Sequence, residues 1–119
     1  MPYSTEAHPA PLTAEEIAAI DARFHAGETV WMWCLHHEVL FESLTEPLSA
    51  RIAYIKAHKE TDEIPIRLSE IQPVKNMNLF APACKAYEEA IATARKALED
   101  LHRDEYPGTC WNGKSIFAY

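Results

Sequence analysis

Thr29-Val30-Trp31-Met32-Trp33-Cys34-Leu35, then His36-His37-Glu38, then Val39-Leu40-Phe41-Glu42, is the stretch on which the fold turns. Its first part is aromatic and β-branched, which suits a pleated, covered surface. Period two sets Trp31, Trp33 and Leu35 on one face and Val30, Met32 and Cys34 on the other. Both faces are apolar, so this strand should be covered twice. His36-His37-Glu38 is a short polar break, and Val39 to Glu42 resumes the strand. The reading is a β-hairpin. A helix through 31–44 competes, because an apolar run alone does not separate the two, and no Gly or Asn marks the turn.

Upstream, Thr13 and Glu16 form a capping box, with Leu12 and Ile17 as its hydrophobic staple. Ile17, Ile20 and Phe24 continue one stripe and Gly27 supplies a left-handed stop, so a helix is expected over about 14–26. Residues 1–12, with Pro2, Pro9 and Pro11, read as a flexible arm or one pinned onto a partner. Downstream, Thr45-Glu46-Pro47 opens a second helix, with Leu48, Ile52 and Ile55 on its buried stripe and its end near Lys59. Glu60 to Glu63 is an acidic connector. Ile64, Ile66 and Leu68 alternate with polar residues and Pro65, which reads as a strand. Ile71 and Val74 fall out of phase, implying a bulge near Ser69-Glu70. Pro65 and Pro73 confine this strand to an edge or mark its ends.

The last helix is expected to carry Pro82 in its first turn. Cys84, Tyr87, Ile91, Ala94, Leu98 and Leu101 form a heptad-type seam, and Pro107-Gly108 is the stop. Residues 109–119 form an aromatic tail with an Asn112-Gly113 turn. The expected fold is therefore α+β: a small antiparallel sheet of about three strands packed by three helices on one face, in the order α-β-β-α-β-α plus tail. The single domain spans 13–108.

Composition narrows function. The 119 residues hold eleven Lys and Arg against eighteen Asp and Glu, a net charge of −7, with 48% hydrophobic residues. That balance argues against a nucleic-acid binder. No apolar run reaches the roughly 18 residues of a membrane span, and no secretory leader is evident. Cys34, Cys84 and Cys110 are odd in number and lack a C-x-x-C spacing, which points to reduced thiols and a cytoplasmic setting.

No catalytic set, metal set or cofactor is expected. Cys34 with His36 or His37, or Cys110 with a distant His, is the arrangement that would suit a thiol enzyme, Cys34 with His36 the one that would suit a metal, and on a strand His37 points away from His36. The binding candidates are Trp31, Trp33, His36, His37, Trp111 and Lys114. Indoles can stack on a planar ligand, and Lys114 can meet a phosphate or carboxylate.

The segments Trp33-Cys34-Leu35-His36-His37, Leu44-Thr45-Glu46-Pro47, Arg51 to Lys56, Glu63 to Leu68 and Trp111 to Phe117 together resemble a group of short uncharacterised proteins of phage and metagenomic origin. The resemblance spans most of 31–117. It implies an accessory protein acting in a host cytoplasm and carries no activity. The expectation is a non-enzymatic protein that engages a protein partner, such as a host or defence protein. The helical seam is read first as the face that packs on the sheet; an exposed seam is the alternative, and it leaves a homodimer or other homo-oligomer open. The alternatives are sequestration of a nucleotide-like ligand and a thiol- or metal-dependent enzyme at Cys34, His36 and His37.

Overall fold

The computed structural model describes residues 9–89, 92–108 and 111–116. Its elements are α1 (Ala14–His25), β1 (Trp31–Trp33), β2 (Phe41–Ser43), α2 (Leu48–His58), α3 (Ile64–Glu70), β3 (Gln72–Pro73), α4 (Met77–Glu88) and α5 (Ala92–Glu105). The chain is α+β, and the three strands form one antiparallel sheet in the order β2-β1-β3.

The hairpin is present and the competing helix is not. Trp31 pairs with Ser43 and Trp33 with Phe41. On the other side Met32 pairs with Pro73 and Trp33 with Gln72. Proline lacks a ladder donor, and Pro73 sits on an edge strand accordingly. The N-terminal signals also hold. Glu16 N–H donates to the Thr13 hydroxyl at 3.2 Å and Thr13 N–H to the Glu16 carboxylate at 2.9 Å, while Leu12 and Ile17 pack against the core. Gly27 ends the helix at φ 86°.

Three expectations are corrected. Helices cover both sheet faces rather than one. Trp31 and Trp33 pack with Phe80 and Cys84 of α4 and Leu98 and Leu101 of α5. Val30 and Met32 pack with Ile20 of α1, Leu48 and Ile55 of α2, and Ile71. Second, residues 64–70 are a helix, not a strand. Ile64, Leu68 and Ile71 all join the second cluster, and their spacing of four and three is one helical face. The apparent phase slip at Ile71 was this helical period, and Pro65 sits in the first turn, where its missing N–H costs nothing. Third, the expected long seam is broken. α4 begins at the Asn76 cap, carries Pro82 in its interior, and closes at Glu89, whose N–H bonds Ala86 and Tyr87 carbonyls. Cys84, Ala94, Leu98 and Leu101 are buried but Tyr87 is exposed. Ile91 lies outside the described residues.

The strand alternation also changes hand at one residue. Cys34 adopts a left-handed backbone at φ 54°. It therefore joins the Trp33 cluster, and Leu35 joins the Met32 cluster, the reverse of simple period two. Such a conformation costs a non-glycine residue about 1–2 kcal/mol. It is held by the Cys34 N–H to Leu40 carbonyl bond at 2.7 Å and by two guanidiniums on the Leu35 carbonyl, Arg51 Nε at 3.1 Å and Arg67 Nη2 at 3.0 Å.

Glu105 ties the first core to the β3–α4 connection. Its carboxylate accepts from Trp33 Nε1 at 3.1 Å and from the Lys75 and Asn76 N–H groups at 2.8 Å each. Removing it strands the indole N–H of a fully buried tryptophan. Glu105→Ala is expected to lower unfolding free energy by about 3 kcal/mol, read by urea titration. Arg103→Ala, which removes an exposed ion pair with Asp100, should stay within about 0.5 kcal/mol.

Candidate functional site

Two features carry chemistry, and both are built on α5. The first is a cleft of ≈ 230 Å³ between the β1–β2 loop, the end of α4, α5 and the tail. Phe41, Leu98 and Leu40 give it apolar walls, with Tyr87 and Trp111 alongside. The charged groups lining it are Glu38, Glu99 and Arg95.

The tail forms its wall because it is tied to the domain at three points and its own turn is fixed. Trp111 Nε1 donates to Glu99 Oε2 at 3.2 Å. Arg95 Nη2 donates to the Gly113 carbonyl at 2.8 Å. Ile116 N–H donates to the His37 carbonyl at 3.0 Å. The Asn112 side chain accepts from Lys114 and Ser115 N–H at 2.9 and 2.8 Å, which fixes the turn around Gly113 at φ 92°. Arg95 also stands 3.8 Å from Glu99. Its charge is thus partly answered within the wall, leaving an acidic balance over the cleft.

The second feature is a buried trio. Cys34 Sγ, a Glu70 carboxylate oxygen and a His102 ring nitrogen all lie within 4.8 Å of one another, and all three residues are buried. The closest approach given is Cys34 Sγ to His102 Nε2, 3.9 Å. The donors come from three places: the left-handed turn after β1, the last residue of α3, and the last turns of α5. The Trp33 ring packs on His102 at 5.1 Å. Arg67, fully buried one turn before Glu70, sits beside them, and its Nε and Nη1 make no hydrogen bond among the described residues.

The electrostatics follow from burial. Desolvation holds the Cys34 thiol well above its usual range; Glu70 adds to this and Arg67 opposes it. His102 is pushed down to about 4, chiefly by burial and then by Arg103. Arg67 is lowered to about 10, by burial and then by Arg51. At neutral pH the trio therefore presents a thiol and a neutral imidazole. A cavity of ≈ 160 Å³ lined by Glu99, His102, Arg103, Gly108 and Trp111 reaches His102 from outside.

The residues singled out from sequence are dispersed. Trp33 is fully buried and Trp31 half-buried in the aromatic cluster around Phe80. His36 is exposed and pairs with Glu42; His37 stands 3.5 Å from Glu38. Neither approaches the trio as a ligand, so Cys34 converges with His102 and Glu70 instead of the adjacent histidines. Trp111 lines the cleft, and Lys114 is exposed and does not. Cys110 and Phe117 lie outside the described residues. His102 had a sequence signal: it follows Leu98 by four and so shares the buried stripe. Glu70 had one only once 64–70 is read as a helix.

The pH response of His102 has a definite sign. Unfolded histidine titrates near 6.5, whereas the native ring stays neutral down to about 4. Its contribution is whole above about 6.5 and is lost as pH falls toward 4, because the unfolded chain takes up the proton first. With EDTA present, stability should drop by about 3 kcal/mol across that window. His102→Gln should flatten the urea midpoint against pH over the same range.

No protein-family model matches this chain, and comparison with curated proteins and with solved structures likewise finds no match.

Proposed function

We propose that this is a non-enzymatic binding protein that engages a protein partner by taking one basic side chain of it into the α5 cleft. The observation that carries this reading is the cleft's makeup: three aromatic residues, Phe41, Tyr87 and Trp111, with two carboxylates, Glu38 and Glu99, against one arginine. Aromatic faces attract a cation, and the carboxylates steer it there. The volume of ≈ 230 Å³ lies below the roughly 300–1,000 Å³ typical of small-molecule sites. It suits one side chain better than a nucleotide. A phosphate would also meet two acids and a partly answered Arg95, which weighs against the nucleotide-like alternative. The broken helical seam removes the main argument for a coiled dimer. The resemblance to short phage proteins adds that the partner would be a host or defence protein.

Fluorescent pentapeptides differing only at a central Lys, Arg, Leu or Glu provide the test, with binding read by anisotropy. The Lys or Arg peptide should bind and weaken with salt. Tyr87→Ala or Trp111→Ala should weaken it about tenfold, equivalent to about 1.4 kcal/mol. Equal binding of the Leu and Glu peptides, or binding indifferent to both substitutions, would overturn the proposal.

A further inference from the structure

We infer that Cys34, Glu70 and His102 form a binding site for a single divalent transition-metal ion of the zinc type. The inference is independent of the cleft. A thiol, an imidazole and a carboxylate are costly to bury in an apolar core, yet three segments distant in sequence bring one of each to the same point. The donor set is sulfur, nitrogen and oxygen, which suits zinc and its spectroscopic substitute cobalt and does not suit magnesium or calcium.

The spacing also fits. With Zn–S of about 2.3 Å and Zn–N of about 2.0–2.1 Å, a tetrahedral ion sets sulfur and nitrogen about 3.6 Å apart. Cys34 Sγ and His102 Nε2 are 3.9 Å apart, so a shift of a few tenths of an ångström brings this pair to ligand spacing, with a Glu70 oxygen within 4.8 Å of both. Both residues are well anchored. Cys34 is fixed by its left-handed backbone, and His102 by the ring of Trp33 against it.

The charges balance on binding. The cation displaces the thiol proton to solvent and forms a metal–thiolate bond. The imidazole binds in its neutral form with no proton to lose. Thiolate and Glu70 carboxylate together answer the two positive charges of the ion. Arg67 beside them leaves a net single positive charge, which suits a water or small anion in the fourth tetrahedral position. Three protein ligands leave the fourth tetrahedral position to be filled from solvent.

Co2+ titrated into EDTA-stripped, desalted full-length protein tests this. One equivalent should bind, with a thiolate-to-cobalt charge-transfer band in the near ultraviolet and intense tetrahedral bands in the visible, both erased by Zn2+. Cys34→Ser should abolish the near-ultraviolet band, and His102→Gln should weaken Co2+ binding at least tenfold. The double variant His36→Asn, His37→Asn should bind as the parent does. Absence of the charge-transfer band from the parent protein overturns the inference without any variant needing to fold. So does its persistence in Cys34→Ser, which would move the thiolate to Cys84 or Cys110, or its loss in the surface-histidine double variant.

Discussion

The architecture rests on the Leu35 carbonyl held between two guanidiniums. Arg51 comes from α2 and Arg67 from α3, so a single acceptor locks both helices to the end of the central strand. The same grip holds Cys34 in its left-handed turn. The two cations repel each other and both are buried, an arrangement that persists only because the acceptor, the helices and the hairpin over-determine it. The result is an inversion of the strand's faces. Cys34 passes to the side of α4 and α5, and Leu35 to the side of α1 and α2. Without that inversion the thiol would lie on the opposite face from His102.

Coverage of both faces decides where the apolar residues of this chain are spent. A central strand buried on each side needs two apolar clusters, and 119 residues supply them by keeping every element short. Phe80 centres the first cluster, meeting Trp31, Phe41 and Trp33 at ring distances of 5.2, 5.3 and 5.6 Å. Polar groups then serve as fasteners at its edges. Tyr106 donates its hydroxyl to the Pro73 carbonyl at 2.7 Å, and Lys75 sits 4.6 Å over the same ring. Gln72 reaches back to the Ala10 carbonyl at 2.8 Å, which pins the end of the N-terminal arm to this chain itself. Much of the acid lies on the surface, whereas Glu70 and Glu105 are engaged inside the fold and Glu38 and Glu99 line the cleft.

Much of this was legible in the residues, and the failures have physical causes. The capping box, the hairpin and the Gly27 stop depend on local chemistry, and local chemistry is in the sequence. The stretch Ile64 to Glu70 failed because its apolar residues satisfy both a period of two and a period of 3.6 over so few positions. Burial of Arg67 and Glu70 decided between them, and burial is a tertiary property. The trio failed for a related reason. Cys34 lies 36 residues from Glu70 and 68 from His102 in the sequence, and only the reversed alternation at Cys34 aims it at them. The adjacent His36 and His37 drew attention by proximity in the chain, which on a tight turn does not mean convergence. Trp111 was legible as a wall of a site; its partners Tyr87 and Arg95 were not, since the helix seam was expected to be continuous.

The two sites share one helix and one dependence. Glu99 and His102 are three residues apart on α5, the first lining the cleft and the second completing the trio. Trp111 touches both regions, as a wall of the cleft and of the cavity that reaches His102. Its position is set by the tail's bonds to Glu99, Arg95 and His37, each of them a single hydrogen bond near the surface. Each such bond contributes about 1 kcal/mol, and the full burial of Ile116 in the first core adds to the hold. An occupant that stacks on Trp111 would favour the seated tail over the unseated one by mass action.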